Sequence, residues 1–244
     1  MARHLIAFVA AGWLMVAPMA PADCTPGNPP QDAFERARLA MVADQIAARG
    51  VKDPGVLAAM RAVPRHEFVP AALRGDAYAD SPLPIGHGQT ISQPYIVALM
   101  TELARPSASA RVLEVGTGSG YQAAVISHLV ARVFTVELVD ALSQSAAAVL
   151  RRLGYANVTV RNGDGYLGWP DEAPFDIILV TAAPEEVPPA LLAQLKPGGR
   201  LIVPVGRVSD VQDLQVIEKD AAGKVSTRSV IPVRFVPMLK KRDS

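Results

Sequence analysis

Just after the apolar residues Val112 and Leu113 comes a loop of alternating glycines, Gly116-Thr117-Gly118-Ser119-Gly120, with an acid, Glu114, two residues before it. Glycines at this spacing let a chain turn tightly and let a ligand approach the backbone closely. A second acid, Glu137, closes the next apolar run about twenty residues on, where a carboxylate can take both hydroxyls of a ribose. Asp164 and Gly165, in "GDG", and Thr181, after "DIILV", end two later runs. Asp164 offers an acceptor to the exocyclic amine of an adenine. Together these residues fit a ligand that contains a nucleoside.

Two such ligands compete. A dinucleotide wants G-x-G-x-x-G, its third glycine admitting close helix packing above a pyrophosphate. Here the third glycine arrives one residue early, and Tyr121 fills the position which that pattern gives to glycine. An acid at 114 also suits an ammonium better than a pyrophosphate. S-adenosylmethionine carries an ammonium, a carboxylate, a ribose and an adenine, and no phosphate. It is the cofactor these residues favour, held by Glu114, Gly116, Thr117, Gly118, Ser119, Glu137, Asp164, Gly165 and Thr181.

Those residues need a scaffold that gathers loop ends. After residue 110, short β-rich runs ("RVLEV", "VFTVE", "VTV", "DIILV", "GGRLIVPV") alternate with helical patterns. Such alternation predicts an α/β fold: a doubly wound, mostly parallel sheet with right-handed crossovers. Ligands bind at the carboxyl ends of such strands, where all four segments converge. "VQDLQVIEK", the turn "DAAGK" and "VSTRSVIPVRFVPML" predict a β-hairpin closing the sheet edge. Upstream, apolar spacing predicts one helix over 32–49 and a second capped by Asp53 with Pro54 at its first position. A Pro-rich irregular stretch is expected up to Ile91, with a single domain over 32–244 and a cofactor-binding core over about 108–206.

Half of the 244 residues are hydrophobic, enough for a full core. Lys and Arg total 24 against 23 acidic residues, so the basic surface that nucleic-acid binding needs is missing from the totals. The four histidines show no metal spacing and the one cysteine, Cys24, excludes an internal disulfide. Residues 1–22 have a basic start, an apolar stretch over 5–17 and Ala20-Pro21-Ala22, the pattern of a secretory signal, followed by a Pro/Gly linker over 23–31. The apolar stretch is short for a membrane span of roughly twenty residues, so no stable membrane association is expected once it is removed. Export and cytosolic residence both stand open, because this cofactor is made in the cytosol.

The stretches "VPRHEFVP", "LPIGHGQTISQPYIVALMTEL", "VLEVGTGSGYQAAV", "NGDGYLGW", "PFDIILVTAAP", "QLKPGGRLIVPVG" and "VRFVPML" closely resemble the protein-L-isoaspartate (D-aspartate) O-methyltransferases, from about residue 36 to about residue 240. "GTGSG" is common to many methyltransferases, whereas "GQTISQP" and "VRFVP" are far more specific. The resemblance implies the class I methyltransferase fold, isoaspartyl proteins and peptides as partners, and methylation of the α-carboxylate of L-isoaspartyl and D-aspartyl residues. It also implies that Ser92 is the active-site serine, with Thr90 as a second hydroxyl donor. Gln93, Pro94 and Tyr95 match cofactor-contacting positions, and His66, Val69, Ala182, Ala183 and the strand holding Val236 match the peptide groove. Two rivals remain open on residues alone: a methyltransferase of this fold acting on a small molecule or RNA, and a non-catalytic binder of damaged peptides.

Overall fold

A computed structural model describes residue 1, residues 31–207 and residues 209–240. The expected signal over 1–22 and the linker over 23–31 lie, apart from Met1 and Gln31, outside the described residues.

Helix α1 (Gln31–Ala40) runs on through a wider turn, Met41–Ile46, and a tighter one, Ala47–Arg49. The predicted 32–49 helix is therefore helical along its length but changes its winding as Met41, Val42 and Ile46 become buried. It stops at Gly50, whose φ of 99° suits a residue without a side chain. Helix α2 (Pro54–Ala62) begins as expected: the Asp53 carboxylate accepts a 2.9 Å hydrogen bond from the Val56 amide, and Pro54 gives up no needed donor. Such a cap contributes about 1 kcal/mol.

The Pro-rich stretch is more ordered than expected. After two tight turns, Arg65–Phe68 and Ala71–Asp76, strands β1 (Leu83–Gly86) and β2 (Gln89–Ile91) pair antiparallel, Leu83 opposite Ile91. His87 and Gly88 turn the hairpin with φ of 52° and 69°. Positive φ at both central residues matches the strand twist. Strands of four and three residues are too short for alternation to reveal, and Pro84 speaks against one. Helix α3 (Pro94–Ala104) follows with Pro94 in its first turn.

The remaining chain forms strands β3 (Arg111–Val115), β4 (Arg132–Glu137), β5 (Val158–Asn162), β6 (Phe175–Val180), β7 (Leu195–Val205), β8 (Gln212–Lys219) and β9 (Val225–Val233). They form one sheet in the order β5-β4-β3-β6-β7-β8-β9. β3 to β7 are parallel and the last two pairings antiparallel. Helices α4 (Tyr121–Ser127), α5 (Asp140–Arg152) and α6 (Pro189–Gln194) fall within the crossovers. β3 is central: the chain winds outward to β4 and β5 on one side, and returns to β6 and β7 on the other. This reversal opens a crevice at the carboxyl end of β3. Val112, Leu113, Phe134, Ile178, Leu179 and Leu201 are fully or almost fully buried. Each contributes about 1.5–3 kcal/mol, so the crevice rests on a rigid floor.

β9 ends at Val233, earlier than the predicted strand, because the chain leaves the sheet to cross the crevice. Val236 accepts from the Ala183 amide at 2.8 Å, and the Met238 amide donates to the Ala183 carbonyl at 2.8 Å. Pro237 between them has no N–H to join a ladder.

Candidate active site

At Gly116, φ is 94° and an added Cβ would lie 2.5 Å from Thr181 Oγ1. The glycine is needed because Thr181, at the end of β6, donates its hydroxyl to the Gly116 carbonyl at 2.5 Å. The ends of β3 and β6 are thus tied together directly beneath the loop. Gly118, with φ of 53°, turns its amide onto Glu137 Oε2 at 2.8 Å, while the Val139 amide donates to Oε1 at 2.9 Å. Two amides therefore hold the Glu137 carboxylate in place at the end of β4 and leave it lone pairs for a ligand.

Glu114 is fully buried in the middle of the sheet. Register places it beside Thr135 on β4, and the Thr135 hydroxyl donates to Oε2 at 2.5 Å. Thr117 and Thr135 share a further hydroxyl contact of 2.7 Å. Among the described residues Oε1 of Glu114 has no close hydrogen-bond partner, although the Ala123 amide at the start of α4 acts on the same carboxyl, and Oε1 of Gln122 has none either, while its amide nitrogen donates to Thr101 at 2.9 Å. Burial pushes the Glu114 carboxyl up to about 8; the Thr135 hydrogen bond opposes the shift and the Glu137 charge reinforces it. Two unsatisfied acceptors, one on a protonated acid, belong to residues lining one cavity. That donor-hungry end fits an ammonium.

This first cavity encloses about 460 Å³ including its mouth. Glu114, Gly116, Thr117, Gly118, Ser119 and Glu137 line one side, and Thr90, Ser92, Thr181, Ala182 and Val236 also face it. A neighbouring cavity of about 420 Å³ continues past Glu137, lined by Gly116, Leu138, Gly165, Ala182, Met238 and Leu239. Gly165 is obligatory there, since a Cβ would meet Val115 Cγ1 at 2.5 Å. Asp164 stands beside this wall and accepts the Tyr166 amide at 2.8 Å, capping the turn Gly165–Leu167. A long ligand with its ammonium at Glu114 and its ribose at Glu137 would carry a base into this apolar slot. Trp169 lies edge-on to Phe134, with ring centroids 5.6 Å apart.

A third cavity, of about 990 Å³, opens on the far side of the hydroxyl pair. Thr90, Ser92, Thr181 and Val236 line both it and the first cavity, forming the partition between them. Gln93 and Tyr95, expected on the cofactor, line this third cavity. The reason is local. Gln93 Nε2 donates to Asp80 Oδ2 at 2.7 Å, and the Arg49 guanidinium lies 3.5 Å above the Tyr95 ring. Both contacts tie the start of α3 to segments that precede it in the chain.

Three residues expected in a peptide groove are held by contacts within the fold. Val69 is buried in the core between the N-terminal helices and α4. The His66 ring stacks on Phe34 at 4.1 Å and its Nδ1 contacts the Tyr78 hydroxyl at 2.7 Å, so it is held in packing. Ala183 is spent on the backbone bridge to the C-terminal tail. Gln89, Gln122, Leu138 and Met238 enter the cavities without having been singled out. Gln122, one residue into α4, was within reach of a period argument; the others depend on how distant loops meet. Among the described residues no group of three or more His, Cys, Asp or Glu is arranged to hold a metal.

The model of the family "Protein-L-isoaspartate(D-aspartate) O-methyltransferase (PCMT)" matches residues 36–243. A protein-L-isoaspartate O-methyltransferase of Opitutus terrae is 54% identical over 214 residues, covering 86% of this chain and 91% of the relative. Protein-L-isoaspartate O-methyltransferase 2 of Syntrophobacter fumaroxidans is 59% identical over 186 residues, 76% of this chain and 75% of its own. Among solved structures, a protein-L-isoaspartate O-methyltransferase superposes with a TM-score of 0.72 at 32% identity; the match covers 84% of this chain and 65% of that one. A Plasmodium falciparum protein described as a putative member of the same enzyme group, crystallised with S-adenosyl-L-homocysteine, gives 0.70 at 25% identity, over 84% of this chain and 99% of its own. Glycine loop, acid pair, hydroxyl partition and overall likeness agree, and the chain belongs to the protein-L-isoaspartate (D-aspartate) O-methyltransferase family.

Proposed function

We propose that the chain transfers the methyl group of S-adenosylmethionine to the free carboxylate of damaged aspartyl residues in proteins and peptides, the α-carboxylate of L-isoaspartyl and the β-carboxylate of D-aspartyl residues. The observation that carries this reading is the partition: two uncharged hydroxyl side chains, Thr90 and Ser92, face the cavity of the glycine loop and an open acceptor cavity at once. Glu114 and Gln122 receive the ammonium, Glu137 the ribose hydroxyls, and the slot beside Gly165 and Leu138 the base. When bound, S-adenosylmethionine supplies an electrophilic methyl on a sulfonium.

The chain's own work is alignment. The acceptor carboxylate is already ionised near pH 7, so no general base is required. The acceptor cavity is consistent with that: among the described residues no histidine, lysine or carboxylate lines it. Ser92 and Thr90 donate hydrogen bonds to one carboxylate and hold the attacking oxygen in line. Uncharged donors do this without the ground-state grip that a lysine would impose. Val236 and Ala182, fixed by the Ala183 bridge, close the wall behind them and displace water. The methyl ester, unlike the carboxylate, can then be attacked at its carbonyl by the amide nitrogen of the following residue; methanol leaves, and hydrolysis of the resulting succinimide returns some normal aspartate.

Initial rates settle the reading. Methyl transfer to an isoaspartyl peptide, absent for the matched aspartyl peptide, a small dicarboxylic acid and RNA, is expected. Transfer to RNA or the small acid, or peptide binding with no transfer, would each replace it by one of its rivals. Among the described residues no helix is long and apolar enough to cross a membrane. Residues 1–22 support export, and the cytosolic origin of the cofactor supports residence there. N-terminal sequencing of the native protein separates the two, since cleavage after Ala22 leaves Asp23 first.

A further inference from the structure

The acceptor cavity is not electrically neutral. Among the described residues its charged lining residues are Arg49 and Arg234, and no carboxylate lines it. This is unlike the chain as a whole, in which the two signs nearly balance. Arg49 is partly committed: its Nη1 lies 2.6 Å from Asp80 Oδ2 and its guanidinium covers Tyr95. Arg234 is exposed and takes part in no ion pair among the described residues. Its backbone is nevertheless pinned from both sides. The next residue, Phe235, donates its amide to Gln212 Oε1 at 2.8 Å, and Val233 before it pairs with Gln212 on β8. A cation on a fixed backbone, in a concave wall with no acid, concentrates positive potential where an acceptor peptide enters.

Resting on the function proposed above, we infer that this cavity contains a subsite for an acidic side chain near the isoaspartyl residue. Arg234 is its main cation and Arg49 its second. The enzyme therefore ranks damaged sites by local charge, favouring those flanked by Asp or Glu over those flanked by Lys or Arg. The hydroxyl pair does not supply this preference, because it meets the isoaspartyl carboxylate that every substrate shares.

The test uses the full-length protein and matched isoaspartyl heptapeptides, with Glu, Gln or Lys placed in turn at each flanking position. At one flanking position or more, KM should rise in the order Glu, Gln, Lys, with about fivefold between the extremes at low salt. The spread should shrink toward none near about 0.5 M NaCl, where exposed charges are screened. In Arg234→Gln the Glu and Lys peptides should converge in KM. If no position shows the order, or if Arg234→Gln raises KM equally for all three peptides, the subsite does not exist. Wild-type enzyme that methylates the Gln peptides without ranking the charged ones overturns only the subsite. Enzyme that methylates none of them overturns the proposed function, and the subsite with it.

Discussion

Glu114 offers a test that does not depend on turnover. Its carboxyl is fully buried, and burial pushes it up to about 8, so near pH 7 most molecules of free protein carry it protonated. An ammonium placed against it favours the ionised form, and the proton must leave as the ligand arrives. Binding of S-adenosylhomocysteine at pH 7 should therefore release most of one proton, and less as pH rises toward 8 and the acid ionises in the free protein. Calorimetry in two buffers of different ionisation enthalpy reads this number from the difference in heats. Glu114→Gln, which keeps the shape and cannot ionise, should lose the release and bind more weakly. The same shift has a stability sign. Because the folded value lies above the ordinary value of 4.5, the folded state binds more protons between them. The stability this group contributes is full below about 4.5 and is lost as pH rises to about 8. The difference amounts to about 5 kcal/mol. Ligand-free wild type should therefore melt lower at pH 9 than at pH 6, by more than Glu114→Gln does. Equal proton release by the two proteins at pH 7 would refute the ammonium assignment.

Three substitutions probe the rest of the site. Ser92→Ala should lower kcat by about 10–100-fold, the value of one hydrogen bond to a charged group, while calorimetric affinity for S-adenosylhomocysteine stays within about twofold; near-normal turnover would remove Ser92 from the chemistry. Glu137→Ala should weaken that affinity by about 100-fold, since two hydroxyls lose their acceptor, and an unchanged affinity would place the ribose elsewhere. Gly116→Ala should destabilise the fold by about 2 kcal/mol or more in denaturant titrations, because φ is 94° and the new methyl meets Thr181 Oγ1 at 2.5 Å. A variant as stable as wild type would show that the clamp between β3 and β6 can open at no cost.

Much of this molecule could be read from residue order because the signals are local. Alternating β-rich and helical runs after residue 110 specify a parallel sheet, and three glycines at a strand end specify a loop that a ligand can approach. Glu114 and Glu137 follow from their places at strand ends, and Asp53 with Pro54 announces a helix start by short-range capping. The β1–β2 hairpin escaped notice because its strands are too short to show a period. Its turn depends on His87 taking a left-handed conformation that its residue type does not announce.

Only the tertiary structure decided which side of the partition each residue faces. Gln93 and Tyr95 adjoin Ser92 in sequence, yet Asp80 and Arg49, contributed by distant segments, tie them on the acceptor side. Val69 and His66 belong to a family motif and still end in packing, because burial of the N-terminal helices claims them. The protonated state of Glu114 is likewise a property of depth: desolvation sets it, and depth comes from strands far apart in the chain closing over one carboxyl group. Residue order thus determined which groups are available, through short-range chemistry. Long-range packing determined which cavity each group serves and what charge it carries there.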